Sequence, residues 1–375
     1  MMDMRKVGFL CLFFLHIAPL SMSGQIFTRI DSLAMKAPLL AQRSPLDLAA
    51  YCQANADNQL EAVRFYFVWV ARNIRYDESL SVVSNADFDH GKQSPQYVFN
   101  SKQAVCTGYS RLLEHLCRLS DIPVMYVAGY GKELINNDSI ETHAWNVIKV
   151  NGGWALFDVT WASNTLESES SKLDEDFERY FMPTPEAFQK GHLPYDPVFQ
   201  LTNEMITRQA FFKSNTMALK HADDADSQKP EDDCVSILNR DYALDSLSFT
   251  IESHRRGLAF MPEDANIVIK LRGALKQKQY WLTKNAQDVL FDFSKTADKT
   301  LNKLSIYALK EWAERLEKLA EPLQTAVDTN KEIEGLETTD EKIIEVKQSR
   351  QQIFDLIGYF SQSWKAVKEE IEKQK

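Results

Sequence analysis

The sequence has no apolar stretch beyond residue 20 that is long enough to cross a bilayer. It also has no basic stripe, since 53 acidic side chains against 43 Lys and Arg give a formal net charge of −10. An acidic chain lacks the positive surface that holds a phosphate backbone, so we expect no nucleic-acid partner. These absences argue against membrane-embedded and nucleic-acid-binding proteins.

Motifs for metals and cofactors are missing as well. We find no His-x-x-x-His beside a carboxylate, no Cys-x-x-Cys pair and no glycine-rich phosphate loop. The sequence therefore predicts no metal ion and no cofactor.

The first 24 residues differ from the rest of the chain. Arg5 and Lys6 precede an apolar run over 7–20, and mostly small residues follow before Gln25. This order predicts a secretory signal peptide over residues 1–24, with a retained N-terminal anchor as the alternative. We expect a secreted or periplasmic protein with a formal charge of −11 and no stable membrane insertion after cleavage.

Four cysteines remain after cleavage, namely Cys52, Cys106, Cys117 and Cys234. An even number in an exported protein is typical of disulfides. Cys106 and Cys117, however, lie on one predicted helix with about 16 Å between them, which is too far for a bridge. A bridge between Cys52 and Cys234 stays open.

The pattern along the chain predicts an α+β protein in three parts. Residues 25–200 form the first domain, which 25–43 enter as a leader, and 201–284 form a linker and a small β-containing segment. Within that segment, 220–233 are a charged linker, and Leu247–Ile251 and Ala265–Leu271 have β character. Residues 285–375 repeat apolar side chains every three or four positions, which predicts a helical hairpin. We expect those C-terminal helices to dock a protein partner.

In the first domain we predict a helix over 105–120 and three strands. The strands cover 123–131, 143–150 and 153–161, and Asn-Gly joins the last two as a two-residue hairpin loop. The predicted domain is thus a helix packed on an antiparallel sheet.

The length of that hairpin loop decides which side chains meet. With two loop residues, Val150 faces Gly153 and His143 lies opposite Thr160. His143 and Asp158 then share one face as diagonal neighbours. A three-residue loop would place Asp158 on the face opposite to His143.

Cys106 stands at the start of the predicted helix, where unpaired N–H groups and the helix dipole favour a thiolate. Its backbone N–H is a candidate oxyanion donor. Cysteine, histidine and aspartate in this order match the needs of nucleophilic acyl transfer, whereas a lone buried cysteine is usually inert packing. Gln96 and Gln103 lie upstream, but nothing places either in a cleft. Trp145 and Trp161 flank the predicted pair of His143 and Asp158, where core packing is the favoured interpretation.

Three motifs resemble one family. The segment A-V-C-T-G-Y around Cys106 is similar to the nucleophile helix of the transglutaminase-like superfamily, and T-H-A-W-N at His143 and L-F-D-V-T-W at Asp158 resemble its later strands. Tyr180-Phe181 and the Pro-rich turn at His192 resemble the kyphoscoliosis peptidase-like branch. The resemblance spans roughly residues 45–200. It implies a papain-like core with Cys106 as nucleophile, His143 as general base and acid, and Asp158 fixing the imidazole.

These observations predict an exported cysteine-dependent enzyme that acts on peptide or amide bonds of a protein or peptide substrate through a thioester. Hydrolysis is favoured over cross-linking because water is always present and nothing marks a site for a second amine. The alternative is a catalytically silent module that serves as a protein-binding scaffold. A structural cell-envelope protein is a third interpretation.

Overall fold

The computed structural model describes residues 27–81, 89–132, 139–166, 173, 175–202, 204–213, 234–262, 264–337 and 339–375. The predicted signal peptide and the charged linker over 220–233 lie outside the described residues. Within the described ranges, no helix combines the length and the apolar character needed to cross a membrane. The chain divides into a first unit, Met1–Tyr126 with His143–Phe188, and a second unit, Val127–Thr142 with Gln189–Lys375.

Helices and strands are mixed, as predicted for an α+β protein. The elements up to residue 188 are α1 (Thr28–Met35), α2 (Pro45–Asn55), α3 (Gln59–Asn73), β1 (Arg75–Tyr76), α4 (Glu78–Ser81), α5 (Pro95–Ser101), β2 (Gln103–Ala104), α6 (Cys106–Arg118), β3 (Val124–Lys132), β4 (Ile140–Val150), β5 (Gly153–Phe157), α7 (Val159–Asn164), α8 (Glu175–Glu178) and α9 (Pro185–Phe188). Those that follow are β6 (His192–Pro194), α10 (Arg208–Lys213), α11 (Cys234–Asp241), α12 (Ser246–Phe260), α13 (Ala265–Thr300), α14 (Ile306–Glu317), α15 (Ala320–Gly335) and α16 (Asp340–Lys373). Short 3₁₀ turns lie at His90–Gln93, Pro197–Gln200 and Leu301–Lys303.

Helix α3 is the centre of the first unit. Asn58 caps its start by accepting the backbone N–H of Glu61, and every residue from 62 to 71 is buried. A helix that is buried on all sides needs neighbours on all sides, and α1, α2, α6 and α7 supply them. The core of this unit therefore forms around α3 and holds α6 in place.

Arg64 in α3 is a fully buried cation. Its guanidinium binds the Asp31 carboxylate at 2.8 Å and also the Glu178 carboxylate, and it lies over three phenylalanine rings. Burying a charge is tolerated only with such pairing. Asp31 belongs to α1, so part of the 25–43 segment, predicted as a leader, is a helix of the core.

The strands β3 to β6 have the hydrogen-bonded order β5-β4-β3-β6. In the first unit, β4 pairs with β5 in antiparallel register, with Val150 opposite Gly153. The two-residue hairpin loop predicted from the sequence is confirmed. Its residues, Asn151 and Gly152, both have positive φ angles of 51° and 88°, which the tight turn requires and which Asn and Gly tolerate.

The predicted third strand over 153–161 is too long. β5 ends at Phe157, and Val159–Asn164 form α7, so Thr160 is not a strand residue opposite His143. The reason is local, because Asp158 accepts the backbone N–H groups of Thr160 and Trp161 and thereby starts a helix.

The second unit is largely helical outside the pairing of β3 with β6. The predicted β-containing segment within 201–284 is wrong, because Leu247–Ile251 lies in α12 and Ala265–Leu271 lies in α13. Aspartate caps start both helices. The β-branched run in α13 buries Ile267 and other apolar side chains at helical spacing, so packing overrides strand propensity.

The predicted hairpin over 285–375 is instead a set of four helices, α13 to α16.

Candidate active site

Cys106 is the first residue of α6 and is half-buried. The preceding residue, Val105, is extended and places no capping side chain over the helix start. The first N–H groups of a helix lack intrahelical acceptors, and the dipole is positive there. Short parallel pairing of β1 with β2 holds the residues that lead into this position. The thiol is thus placed where negative charge is favoured.

A buried glutamine shapes the helix start. The side-chain oxygen of Gln93 accepts the backbone N–H of Val105 at 3.2 Å. It also occupies the space beside Gly108, where an added Cβ would lie 2.5 Å from that oxygen and 2.6 Å from the Cβ of Ala104. Gly108 is therefore required for close packing. Gln96 and Gln103, which the sequence does not place in a cleft, are both exposed.

His143 lies on β4 with its ring buried. Its Nε2 is 2.8 Å from Oδ2 of Asp158, and the electrostatics of the ring also depend on Cys106. Burial lowers the pKa of His143, but the charge and hydrogen bond of Asp158, with a contribution from Cys106, outweigh it and raise the pKa to about 10. The imidazole is thus held as a cation at neutral pH.

Asp158 is fully buried and held on every side. While Oδ2 faces His143, Oδ1 accepts the backbone N–H groups of Thr160 and Trp161, each at 3.0 Å. Its own backbone N–H donates to the carbonyl of Tyr180. A carboxylate that caps a helix is stabilised as an anion, so Asp158 is a fixed negative charge behind the imidazole.

Trp161 covers the imidazole of His143. The two rings are nearly parallel, with centroids 4.6 Å apart and an interplanar angle of 19°. Trp145, which is fully buried, lies farther from the same ring, at 6.0 Å. The sequence predicts that both tryptophans lie near the site. The face-to-face stack depends on the turn of the chain into α7, a helix that the sequence pattern did not predict.

A side-chain hydrogen bond ties β4 to α6. The Nδ2 of Asn146 donates to the carbonyl of Ser110 at 3.0 Å, and both residues are fully buried. Ser110 lies one turn beyond Cys106, and Asn146 lies three residues beyond His143. The bond therefore fixes the strand that carries the imidazole against the helix that carries the thiol.

The structure brings together all three residues predicted as a site, Cys106, His143 and Asp158. The remaining described cysteines, Cys52, Cys117 and Cys234, are buried and are not disulfide-bonded. Burial raises the pKa of Cys52 to about 12 and that of Cys117 still further, as expected for inert thiols. Only Cys106 among these four combines partial exposure with a neighbouring imidazole.

Comparison with known proteins gives one matching family and several similar proteins. Residues 46–159 match the model of the transglutaminase-like superfamily. The human kyphoscoliosis peptidase is 30% identical over 189 residues, covering 48% of this chain and 28% of that protein. The mouse kyphoscoliosis peptidase is 28% identical over 183 residues, covering 47% of this chain and 27% of that protein.

The matched part thus spans little more than a quarter of these curated relatives. Among solved structures, a candidate cysteine protease from Cytophaga hutchinsonii is similar, with 22% identity and a TM-score of 0.25. That match covers 36% of this chain and 38% of the other.

Proposed function

We propose that the transglutaminase-like domain matched over residues 46–159 is a cysteine-dependent acyl-transfer enzyme with Cys106 as its nucleophile. The observation that carries the proposal is the buried pair of His143 and Asp158, whose imidazole also interacts electrostatically with Cys106 at the start of α6. A thiol, an imidazole and a buried carboxylate in this order make up a complete set for nucleophilic acyl transfer.

In the acylation step, the Cys106 thiolate attacks the carbonyl carbon of a peptide or amide bond. The carbonyl oxygen becomes an oxyanion, which the backbone N–H of Cys106 at the start of α6 is placed to bind. The imidazolium of His143 then donates its proton to the leaving nitrogen, the C–N bond breaks and a thioester remains. Asp158 keeps the ring oriented and balances its charge throughout.

In the second step, His143 takes a proton from water, and the resulting hydroxide attacks the thioester. The C–S bond breaks, the acid product leaves, and the Cys106 thiolate and the His143 imidazolium are restored. We favour hydrolysis over transfer to a second amine, and the description of both curated relatives as peptidases supports this choice. We further propose that the enzyme acts outside the cytoplasm, because residues 1–24 have the pattern of a signal peptide.

Alkylation of the thiol tests the proposal directly. Iodoacetamide should modify Cys106 faster than it modifies a free cysteine peptide at about pH 6, and peptide mapping by mass spectrometry assigns the modified residue. Cys52 and Cys117 serve as internal controls, because both are fully buried and should stay unmodified in the folded protein. His143→Ala should remove the fast reaction and leave only ordinary thiol reactivity.

The opposite outcome would favour a catalytically silent scaffold. If Cys106 reacts only as fast as a free cysteine peptide, and His143→Ala leaves that rate unchanged, the imidazole does not activate the thiol. A structural cell-envelope protein would likewise give no Cys106-dependent labelling by a thioester-forming activity probe.

A further inference from the structure

Arg111 and Tyr126 form a polar surface beside the proposed nucleophile. Thr107 and Arg111 are four residues apart on α6 and therefore lie on one face of the helix. That face meets Tyr126 of β3, whose hydroxyl is 3.5 Å from Oγ1 of Thr107. The guanidinium of Arg111 lies 4.8 Å from the centroid of the same tyrosine ring. The tyrosine thus links the arginine to the start of the helix.

This surface adjoins Cys106. Thr107 is the next residue in the chain, and its Oγ1 is the atom that the Tyr126 hydroxyl approaches. Arg111 lies five residues along the helix from Cys106, a rise of about 7.5 Å with a rotation of about 140° toward the Tyr126 side of α6. An extended substrate advances about 3.3 Å per residue, so a substrate that runs along this side brings a group two residues from the attacked carbonyl to the level of the arginine.

Arg111 has no carboxylate partner within ion-pair distance in the described part of the chain. Its side chain is exposed. The comparison is Arg118, two turns further along the same helix, which binds Glu114 at 2.9 Å. The ring of Tyr126 holds the Arg111 guanidinium without cancelling its charge.

We propose that Arg111, held in place by Tyr126, binds a carboxylate of the acyl substrate and makes the enzyme selective for acidic peptides. The inference rests on the proposed acyl-transfer function. A guanidinium presents paired N–H donors that match a carboxylate in a bidentate geometry, which gives direction as well as charge. Arg111 is in this view a specificity-determining residue, which acts on substrate choice and leaves the thiol's own chemistry to His143 and Asp158.

Two matched reagents test the proposal. N-iodoacetylglycylglycine carries a carboxylate two residues beyond the reacting carbon, as the proposed spacing requires, and N-iodoacetylglycylglycinamide is its neutral counterpart. In both cases the Cys106 thiolate displaces iodide and forms a thioether, so the ratio of the two rates isolates the effect of the carboxylate. Arg111→Gln should lower the acid-to-amide ratio about three- to fivefold. Arg118→Gln is the matched control and should leave the ratio unchanged.

The outcomes separate this inference from the proposed function. An unchanged ratio in Arg111→Gln, or an equal fall in Arg118→Gln, overturns a carboxylate site at Arg111. If wild-type Cys106 reacts with the neutral reagent no faster than a free thiol, the proposed function fails instead. Arg111→Lys keeps the charge but loses the fork, so it should give an intermediate ratio. A loss of folding in Arg111→Gln would lower the ratio for a structural reason, so far-UV circular dichroism checks that the variant is folded. If it is not folded, the intermediate ratio of Arg111→Lys carries the test.

Discussion

The indole of Trp161 lies parallel to the imidazole of His143, with ring centroids 4.6 Å apart. The backbone N–H of the same tryptophan donates to Oδ1 of Asp158, whose other oxygen binds the imidazole. An aromatic face attracts a charged imidazolium more strongly than it attracts a neutral imidazole. Trp161 therefore supports the charged form of His143 from its face, while Asp158 supports it at its edge.

This stack leads to a first prediction. Trp161→Leu removes the aromatic face and should make the imidazolium less stable, so alkylation of Cys106 at about pH 6 should slow about three- to tenfold. The pH profile of iodoacetamide labelling measures the change. Trp154→Leu is the control, because Trp154 is on β5 and its ring faces Lys149. An equal slowing in both variants would mean that the effect is structural.

A second prediction concerns stability against pH. The pKa of His143 is raised to about 10 in the folded protein from 6.5, so its contribution to stability is full below about pH 6.5 and is lost as the pH rises to 10. Asp158→Asn can still cap α7 but removes the charge that raises the pKa. The free energy of unfolding of the wild type should exceed that of Asp158→Asn by about 1–3 kcal/mol at about pH 6. This margin should decrease as the pH rises toward 10.

Urea unfolding of both proteins at about pH 6, 8 and 10 measures this margin. A margin that widens with increasing pH would contradict a raised pKa at His143.

The third prediction concerns the packing beneath the thiol. Gly108→Ala would place a Cβ 2.5 Å from Oε1 of Gln93 and 2.6 Å from the Cβ of Ala104. We expect a loss of about 1–3 kcal/mol in the free energy of unfolding, together with slower Cys106 alkylation. Gly273→Ala is the control, since nothing lies within 4 Å of its added Cβ. On an open helix face, alanine should stabilise by about 0.5–1 kcal/mol.

The fourth prediction concerns the buried cation of the first unit. Arg64→Met leaves the carboxylates of Asp31 and Glu178 without their partner, and we expect a loss of about 3–5 kcal/mol in the free energy of unfolding. Arg43→Met is the comparison, because its pair with Asp47 is largely exposed and should change stability by less than about 0.5 kcal/mol. Similar losses in both variants would argue against the buried network as the cause.

Local signals in the sequence were enough to predict several features. The Asn151-Gly152 dipeptide fixes a two-residue turn because both positions need positive φ, and the register of β4 and β5 follows from it. The helix over 105–120 was predicted from its apolar stripe and is observed as Cys106–Arg118. In both cases the determining residues are neighbours along the chain.

The failures arose where distant contacts or competing local signals decide. The run I-V-I-K-L favours a strand by composition, but the Asp264 cap and the packing of Ile267 place it in α13. At Asp158 a cap again decides, because its side chain starts a helix where β propensity predicts a continued strand. Propensity is a weak force that a cap or a buried face readily outweighs.

The sequence by itself determined the order of Cys106, His143 and Asp158, the position of the thiol at a helix start and the tight hairpin. Turn and cap preferences act over a few residues, so they can be recognised in a single sequence. Only the tertiary structure decided that Asn146 ties the strand to the helix, that Trp161 stacks on His143 and that Arg111 faces Tyr126. Each of these contacts joins different elements, and its geometry depends on how the whole core packs.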